Sequence, residues 1–404
     1  MDVPAFLHPF TPPSRTEFIR IVGGDGAVVW DDRGNRYIDG LASLWYVNVG
    51  HGRREMIDAI ADQATQLAAY HTFDPFTNEP ADRLAERIVG IAPMSDTRVF
   101  FANSGSEAVD TAMKLARLVH RLEGHPERQV IISREHGYHG TNYGGTSAQG
   151  IAPNREGWGP LVGEVVNVPA NNLEEVARVF SERAGEVAAV LTEPVQGAGG
   201  VFPPPEGYLE GLRRLCDRHD ALLIMDEVIT GFGRLGRWFA SEYYGVEPDL
   251  VTFAKAVTSG YVPLSGVIVG ARSRAALEAE PEFVFRHGYT YSGHPLGCAA
   301  GLANLDLHES EGLLERATHV GQRLFDGLQS LYADGLVSDV RGVGAVWAVG
   351  MPEGADAFAV RQRMIERGVI VRPLGDSLAI CPPLVIGDQQ VDTIVDVLAE
   401  AVSR

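Results

Sequence analysis

The sequence predicts an α/β fold with a mostly parallel central sheet flanked by helices, and a smaller α+β domain beside it. Six apolar runs of strand length occur in the middle of the chain, and segments with a helical pattern separate them. Within these runs the hydrophobicity is continuous rather than alternating, which is typical of strands buried on both faces of a parallel sheet. The runs are RVFFA (98–102), QVIIS (129–133), VAAVLTEPV (187–195), ALLIMDEV (221–228), LVTFAK (250–255) and SGVIVG (265–270).

The two ends of the chain predict the smaller domain. Residues 20–45 contain short apolar stretches separated by glycines, which predicts antiparallel strands joined by tight turns, with VGGDG (22–26) as a hairpin turn. Near the C-terminus, helical segments flank two further strand-like stretches. We therefore predict that residues 1–60 and 310–404 form the small domain and that residues 61–309 form the large one.

Composition and charge exclude several classes of protein. The 53 acidic and 34 basic residues give a formal net charge of -19, which disfavours general binding to nucleic acids or anionic membranes. No apolar run approaches the ~20 residues needed to span a bilayer, and the N-terminus lacks the features of a signal peptide. We expect a cytoplasmic protein without a nucleic-acid or membrane partner.

The three cysteines, Cys216, Cys298 and Cys381, are widely separated, so neither a disulfide framework nor a zinc site is predicted.

Lysine is rare in this chain. Lys114 and Lys255 are the only two, and the remaining basic residues of the Lys and Arg total are arginine. Because arginine stays charged, any covalent or acid–base chemistry that needs a primary amine falls on one of these two. Lys255 closes the apolar run LVTFAK, where burial would lower the pKa of its amine. Lys114 lies inside a helical pattern, which is typical of a solvated helix face.

Polar residues follow five of the predicted strands. Ligands of open parallel sheets bind beyond the carboxyl ends of the strands, so we expect these side chains to converge on one site. The residues are Asn103 to Ser106, His136 to His139, Glu193, Asp226 and Lys255.

The segment FFANSGSEAVD predicts an anion site. A strand runs into Asn-Ser-Gly-Ser and a helix then begins near Glu107, so free backbone N–H groups and the hydroxyls of Ser104 and Ser106 would face one point, as in a phosphate cradle. A plain helix N-cap by Ser104 or Ser106 is the alternative. The pattern is neither a Walker loop nor a GxGxxG dinucleotide motif.

Asp226 ends an apolar strand and therefore needs a positive partner. It could be a salt-bridged structural carboxylate or a magnesium ligand, although no Walker A motif supports the metal. A ligand that has a phosphate, an aldehyde for Lys255 and a basic ring nitrogen for Asp226 is pyridoxal 5′-phosphate. Tyr138 would supply an aromatic face against its ring.

The spacing of His136 and His139 could suggest a metal, but the glycines around them favour a turn, and we predict no metal site.

At these residues the chain resembles the class III aminotransferases among the fold type I pyridoxal-phosphate enzymes, and most closely the ω-amine:pyruvate type. The resemblance extends over essentially the whole chain and rests on nine segments in order: FLHPF, DGLASLWYVNVGHG, NSGSEAVD, GYHG, EPVQGAGG, DEVITGFGR, TFAKAVTSGYVPLSG, GYTYSGHPLGCAA and RPLGDSLAICPPLVI.

The resemblance implies roles for the cofactor-binding residues. Lys255 would carry the cofactor as a Schiff base and act in catalysis together with Asp226, which would contact the pyridinium nitrogen. Val228 would cover the ring face opposite Tyr138. The remaining cofactor-binding residues would be Ser104, Gly105 and Ser106 at the phosphate, His139 and Glu193 near the ring, and Thr290 at the phosphate of a neighbouring subunit. A homodimer or a dimer of dimers with shared active sites would follow.

The resemblance also implies the substrate-binding residues and the reaction. Arg372 matches an arginine that grips a substrate carboxylate; the alternative is a surface arginine held by Asp376. The pocket walls would be Phe10, Leu44, Trp45, Phe73 and Ala198. The expected activity is transfer of an amino group from a primary amine or ω-amino acid to the keto acid pyruvate, giving alanine by a ping-pong mechanism. A β-alanine, diamine or 4-aminobutyrate aminotransferase, an aminomutase, or a non-catalytic cofactor-binding protein are the alternatives.

Overall fold

The N-terminal part of the chain begins with a three-stranded antiparallel meander. The computed structural model describes residues 4–403. Gly26, with φ +54°, and Ala27 connect the first two strands in a two-residue turn. The predicted hairpin is present, but its turn was placed too early, because residues 22–25 of VGGDG belong to the first strand and only Gly26 lies in the turn. The elements here are β1 (Ile21–Asp25), β2 (Val28–Asp31), β3 (Arg36–Asp39), the short irregular helix α1 (Ala42–Trp45), α2 (Arg54–Gln66) and α3 (Glu79–Gly90).

A seven-stranded sheet forms the centre of the molecule. Its elements are β4 (Arg98–Ala102), α4 (Gly105–Leu122), β5 (Val130–Arg134), α5 (Tyr143–Ala148), β6 (Val165–Val168), α6 (Leu173–Glu182), β7 (Val187–Thr192), α7 (Tyr208–His219), β8 (Leu222–Asp226), α8 (Ala240–Tyr244), β9 (Leu250–Phe253), β10 (Ser265–Val269) and α9 (Ala271–Glu278). The strand order is β4-β10-β9-β8-β7-β5-β6. All neighbouring pairs are parallel except those of β10, which runs antiparallel to both β4 and β9.

The C-terminal part adds a second antiparallel sheet and returns to the N-terminal one. Its elements are α10 (Pro295–Ser310), α11 (Leu313–Ala333), β11 (Asp339–Val343), β12 (Val346–Gly350), α12 (Ala357–Glu366), β13 (Val369–Ile370), β14 (Arg372–Leu374), β15 (Ser377–Ile380) and α13 (Asp388–Val402). Four of these strands form a sheet in the order β11-β12-β15-β14. The fifth, β13, pairs in parallel with β3, placing Val369 opposite Ile38.

The predicted α/β fold is confirmed. All six apolar runs form strands of the central sheet, and most of their residues are fully buried between helices on both faces. The strand β6 was not among the predicted strands; it lies at the sheet edge and is only half-buried. Two 3₁₀ turns, Ala152–Arg155 and Lys255–Val257, follow α5 and β9. Among residues 4–403, no helix is long and apolar enough to cross a membrane.

Two apolar clusters accompany the two sheet systems, and helix α10 contacts both of them. Cys298 and Leu305 pack into the cluster under the central sheet, whereas Ala300 and Leu307 pack with residues from both chain ends. The predicted boundary at residue 60 lies inside α2 and the one at 309 lies inside α10. The exact domain limits therefore stay a prediction, while the meeting of both chain ends is a property of the structure.

Candidate active site

The polar residues that follow the strands of the central sheet surround one cavity of about 220 Å³. The N-terminus of α4, the loop after β5 and the ends of β7, β8 and β9 all contribute to its wall, because these strands run in one direction and their carboxyl ends meet at one edge. The lining includes Asn103, Ser104, Gly105, Ser106, Tyr138, His139, Glu193, Asp226, Val228 and Lys255. The structure thus brings together the residues that the strand ends single out.

Asp226 is the last residue of β8, and its carboxylate is held by its own chain. One oxygen, Oδ2, lies 2.7 Å from Nδ1 of the buried His139. The other, Oδ1, accepts hydrogen bonds from the Thr252 hydroxyl at 3.0 Å and from the Val228 backbone N–H at 3.2 Å. A buried carboxylate with three partners is fixed in orientation, and it faces the cavity with its charge.

Glu227, the next residue, points away from the cavity. Its carboxylate accepts the backbone N–H groups of Ala240 and Ser241 at 2.5 and 2.8 Å and the Ser241 and Thr230 hydroxyls at 2.6 and 3.0 Å. Burial raises the pKa of Glu227, and the Ser241 hydrogen bonds oppose that rise. The two acids therefore divide their tasks: Asp226 faces the cavity and Glu227 caps α8.

Lys255 follows β9 and places its amine in the cavity. Burial lowers the pKa of Lys255, and the nearby carboxylates of Asp226 and Glu193 oppose this shift. Its backbone has φ +49°, a conformation that costs a side-chain-bearing residue free energy and is found at functional sites. A lowered pKa leaves a larger fraction of the amine neutral and nucleophilic near neutral pH.

Glu193 lies directly after β7 and is held by two backbone donors. Its carboxylate accepts the N–H of Tyr138 at 2.8 Å and the N–H of Gly197 at 2.9 Å. Burial raises the pKa of Glu193 to about 7, with a further rise from Asp226 and an opposing effect of His139. Glu193 can therefore be protonated or ionised near neutral pH, and in both states it fixes the loop that carries Tyr138.

The N-terminus of α4 carries the helix cap and lines the cavity, while its predicted role as an anion cradle stays a prediction. The Ser104 hydroxyl accepts the Glu107 N–H at 3.2 Å, so Ser104 is the N-cap. The Ser106 hydroxyl accepts the Thr141 N–H at 2.9 Å, which ties the loop after β5 to the helix. A Cβ atom on Gly105 would lie 3.0 Å from Cγ1 of Val228, so glycine leaves room for close approach of a ligand. The helix N-terminus therefore borders the cavity without a side chain blocking it.

Arg372 begins β14 and is half-buried near the same cavity. Burial lowers the pKa of Arg372 and the neighbouring Tyr138 opposes that shift, while Arg372 in turn contributes to the lowered pKa of Lys255. Its Nε atom is buried and has no hydrogen-bond partner among the described residues. Asp376, the alternative partner, instead accepts the Ser377 hydroxyl at 3.1 Å, and no ion pair within residues 4–403 joins it to Arg372.

The residues predicted as pocket walls do not line this cavity. Phe10, Leu44 and Phe73 are 68%, 43% and 50% exposed, and Ala198 is half-buried. Trp45 is 2% exposed and packs in an apolar cluster. Their substrate-binding roles stay predictions. Thr290 is exposed, and its predicted contact with the phosphate of a neighbouring subunit also stays a prediction.

Two residues that shape the site were not among the predicted site residues. Thr252 lies inside β9, where threonine is an ordinary strand residue, yet its hydroxyl orients Asp226. Tyr46 lies beside Trp45 in the segment DGLASLWYVNVGHG, and it is Tyr46 rather than Trp45 that lines the cavity. Within the described residues no cluster of His, Cys, Asp or Glu could hold a metal ion; His136 adopts φ +64° in a turn, and His139 contacts Asp226.

Comparison with known proteins decides the family. The profile of the class-III aminotransferase family matches residues 10–402. The chain belongs to the class III aminotransferases. It is 37% identical to an ω-aminotransferase of Caulobacter vibrioides, over 100% of this chain and 98% of the relative. It is also 37% identical to the β-alanine–pyruvate aminotransferase of Pseudomonas aeruginosa, over 95% and 91%.

A solved structure extends the likeness to the fold and the cofactor. An amine transaminase from an uncultivated Pseudomonas species, crystallised in its pyridoxal-phosphate-bound form, superimposes with a TM-score of 0.95 at 36% identity, over 99% of both chains. The relatives' names differ in the amino acceptor: a Halomonas elongata protein 39% identical to this chain, over 95% and 90%, is a diaminobutyrate–2-oxoglutarate transaminase. Family membership therefore establishes a pyridoxal-phosphate-dependent transaminase and leaves the substrate pair open.

The residues of this chain suit that cofactor. Of the two lysines, Lys255 lines the cavity and can offer its amine to an aldehyde, whereas Lys114 is exposed and does not line it. Asp226 offers a fixed negative charge to a protonated ring nitrogen, and the α4 N-terminus with Ser104 and Ser106 offers donors to a phosphate. Each chemical group of the cofactor thus has a matching group at one cavity.

Proposed function

We propose that this class III aminotransferase moves an amino group from a primary amine or an ω-amino acid to pyruvate, forming alanine in two half-reactions. The observation that carries the proposal is Arg372: it is half-buried, it lies near enough to Lys255 and Tyr138 of the cavity lining to affect the pKa of each, and its Nε has no partner among the described residues. A planar guanidinium suits bidentate binding of a keto-acid carboxylate. The ω-aminotransferase and β-alanine–pyruvate names of two relatives support the same substrate pair.

Lys255 moves the proton in this proposal. When bound, the cofactor supplies an electron sink for the carbanion formed at the substrate carbon. The Nζ atom of Lys255, whose pKa is lowered by burial, would take the proton from that carbon as general base and deliver it to the cofactor carbon as general acid. Asp226, oriented by His139 and Thr252, keeps its negative charge directed at the cavity throughout, so that it stabilises the positively charged ring nitrogen.

Arg372 would serve the two half-reactions differently. With pyruvate, its guanidinium binds the carboxylate and orients the carbonyl carbon. With a donor that lacks a carboxylate, a charged guanidinium in an apolar pocket would be unfavourable, so we expect Arg372 to turn outward. The alternatives differ in their consumption of a keto acid: an aminomutase would need none, and a diaminobutyrate-type enzyme would use 2-oxoglutarate.

We also propose a homodimer or a dimer of dimers with shared active sites. The support is the exposure of large apolar side chains such as Phe10 and Phe73, which favours burial against another surface. Light scattering of the purified protein would measure the mass, and Thr290→Ala should weaken cofactor retention if Thr290 serves a neighbouring site. A cytoplasmic location stays the prediction made from the sequence.

The test of the proposed function is the visible absorption spectrum of the cofactor-loaded protein. An arylalkyl amine added alone should remove the absorption band of the lysine-bound cofactor, and pyruvate added next should restore it and yield alanine. If 2-oxoglutarate restores the band and pyruvate does not, then 2-oxoglutarate is the amino acceptor instead of pyruvate. Product formation without any keto acid would contradict the aminotransferase reaction and favour an aminomutase.

Variants of Arg372 test the role of the guanidinium. Arg372→Ala should raise KM for pyruvate by roughly 10- to 100-fold, because a charge-assisted pair worth about 1.5–3 kcal/mol is lost. The half-reaction with an amine that lacks a carboxylate should change much less. Arg372→Lys keeps the charge without the planar fork, so it should recover only part of the loss. Equal effects on both half-reactions would show that Arg372 has a structural role instead.

A further inference from the structure

Tyr46 separates the active-site cavity from a second and larger one. The second cavity has a volume of about 510 Å³ and lies between the N-terminal meander and the segment 259–261. Its lining includes Ile21, Val29, Asp39, Val47, His51, Tyr261 and Ile370. Tyr46 and Gly260 are the residues that line both cavities, so the Tyr46 ring and the Gly260 backbone form the wall between them.

The Tyr46 ring is held in place on two sides. Its hydroxyl accepts a hydrogen bond of 2.6 Å from the Ser43 hydroxyl. Its ring lies against Gly260, where a Cβ atom would collide with the ring carbons, and Gly260 has φ +74°. A larger residue at 260 would therefore displace the ring. The two linings thus share one side chain with a defined position and one glycine.

The chemistry of the second cavity favours an apolar occupant. Six of its lining side chains are aliphatic or tyrosine, whereas the one carboxylate, Asp39, is 2% exposed. Both Asp39 oxygens are already occupied: Oδ1 accepts the Leu41 N–H at 3.1 Å, and Oδ2 accepts the Ser43 N–H at 2.6 Å and lies 2.8 Å from Nε2 of His51. The cavity thus offers no free carboxylate to the second ammonium group of a diamine.

We propose that Tyr46 sets the upper length of the amine donor, and that the second cavity receives the apolar tail of a longer amine once Tyr46 is made small. This inference rests on the proposed function, because it assigns the tail to a donor whose amino group reacts at Lys255. Tyr46 acts on specificity through the volume available to the substrate, and it takes no part in the proton transfer. The corresponding substrate class is a monoamine with an unbranched apolar chain.

The experiment compares n-propylamine with n-octylamine, using the cofactor-loaded protein and pyruvate. Each methylene that enters an apolar cavity contributes roughly a fourfold gain in binding, so Tyr46→Ala should raise the octylamine-to-propylamine ratio of kcat/KM by at least about tenfold. Tyr46→Phe keeps the ring and should leave that ratio near the wild-type value. Ile21 is exposed and lines only the second cavity, so adding Ile21→Trp to Tyr46→Ala should fill that cavity and return the ratio towards wild type. Ile21→Trp alone should not change it.

A turnover-independent measurement separates this inference from the proposed function. Calorimetric titration with propanoate and octanoate, which lack an amino group, should show a gain in octanoate binding of at least about tenfold for Tyr46→Ala. If wild-type protein does not use propylamine with pyruvate but this gain appears, the proposed function fails and the inference stands. An unchanged ratio in Tyr46→Ala, or a raised ratio that Ile21→Trp does not reverse, would overturn the inference.

Discussion

The cofactor-binding region and the predicted substrate walls differ in how completely one chain builds them. Asp226 and Glu193 are each 4% exposed, and every hydrogen bond described for their carboxylates comes from the same chain. Phe10, Leu44 and Phe73, by contrast, stand largely in solvent. Charged groups in a buried site must be oriented before the ligand arrives, whereas apolar walls need only a surface to close against. The polar groups at the cavity are thus preorganised within the chain, whereas the predicted substrate walls are not packed against it.

The strongest test of this comparison uses the two lysines. Lys255→Ala should lower the rate of alanine formation by more than about 10³-fold, because both the covalent attachment and the proton transfer lose their amine. Lys114→Ala is the matched control: Lys114 is exposed, its amine lies 2.9 Å from the His287 ring, and most activity should remain. A Lys255→Ala protein with wild-type turnover would remove the basis of the mechanism.

The adjacent acids separate chemistry from stability. Asp226→Asn keeps the shape but loses the charge, so kcat should fall by roughly 10²-fold or more while the melting temperature changes little. Glu227→Gln should do the reverse: its four donors lose part of their acceptor, and the free energy of unfolding should fall by about 1–3 kcal/mol with kcat nearly unchanged. Steady-state kinetics and urea unfolding of both variants measure the two effects. Similar losses of kcat in both would show that the division of tasks is wrong.

The pH dependence of stability tests the environment of Glu193. The pKa of Glu193 is raised from 4.5 to about 7 by burial, so the folded state holds this proton more tightly than the unfolded chain does. The contribution of protonated Glu193 to the free energy of unfolding is complete below about pH 4.5 and is lost as the pH rises towards 7. The total loss is up to ~3 kcal/mol. In Glu193→Gln the side chain stays neutral at every pH, so the variant should lack this fall and the stability difference between the two proteins should change between pH 4.5 and 8. Urea unfolding of cofactor-free protein from pH 4.5 to 8 measures it; parallel curves for both proteins would contradict the assignment.

The smallest expected effect concerns the fit at Gly105. Gly105→Ala places a methyl group 3.0 Å from Cγ1 of Val228, and overpacking of this kind should weaken cofactor binding by about tenfold. Val228→Ala in the same protein removes the contacting methyl group and should restore part of the affinity. Fluorescence titration of the cofactor-free variants with pyridoxal phosphate gives the affinities. Additive losses in the double variant would show that the two side chains do not contact each other.

The sequence predicted best what burial dictates. The run ALLIMDEV has no polar face before its acids, so it predicts a strand buried on both sides, and β8 is buried throughout. The run RVFFA also forms a strand, but β4 lies at the sheet edge and only Phe101 and Ala102 are buried. The strand β6 was not predicted, because its short, half-buried VVNV stretch cannot be distinguished by sequence from an edge or loop segment. The antiparallel direction of β10 has no sequence signal either, since direction is set by the connection and not by the strand's own residues.

The sequence predicts those site residues whose positions are set by the ends of the strands. It does not predict those whose positions depend on contacts between side chains that are distant in the sequence. Asp226, Glu193 and Lys255 each end or follow a strand, so topology alone brings them to one cavity. The separate direction of Glu227 depends on the donors at the start of α8, some 13 residues later, and no local pattern shows this. The position of Tyr46 depends in the same way on Gly260, more than 200 residues away in the chain.

The pairing of β3 with β13 also has a consequence for the synthesis of the protein. Ile38 faces Val369 in this parallel pair, so the partner of β3 is translated more than 300 residues after it. At a translation rate of about 5–20 residues per second, the edge of β3 waits roughly 15–65 s before its partner exists. An unpaired strand edge is a template for association with other chains during that interval. The nascent chain therefore passes its most aggregation-prone period on the ribosome, and slow release or chaperone access at that stage should affect the yield of this protein more than its final stability does.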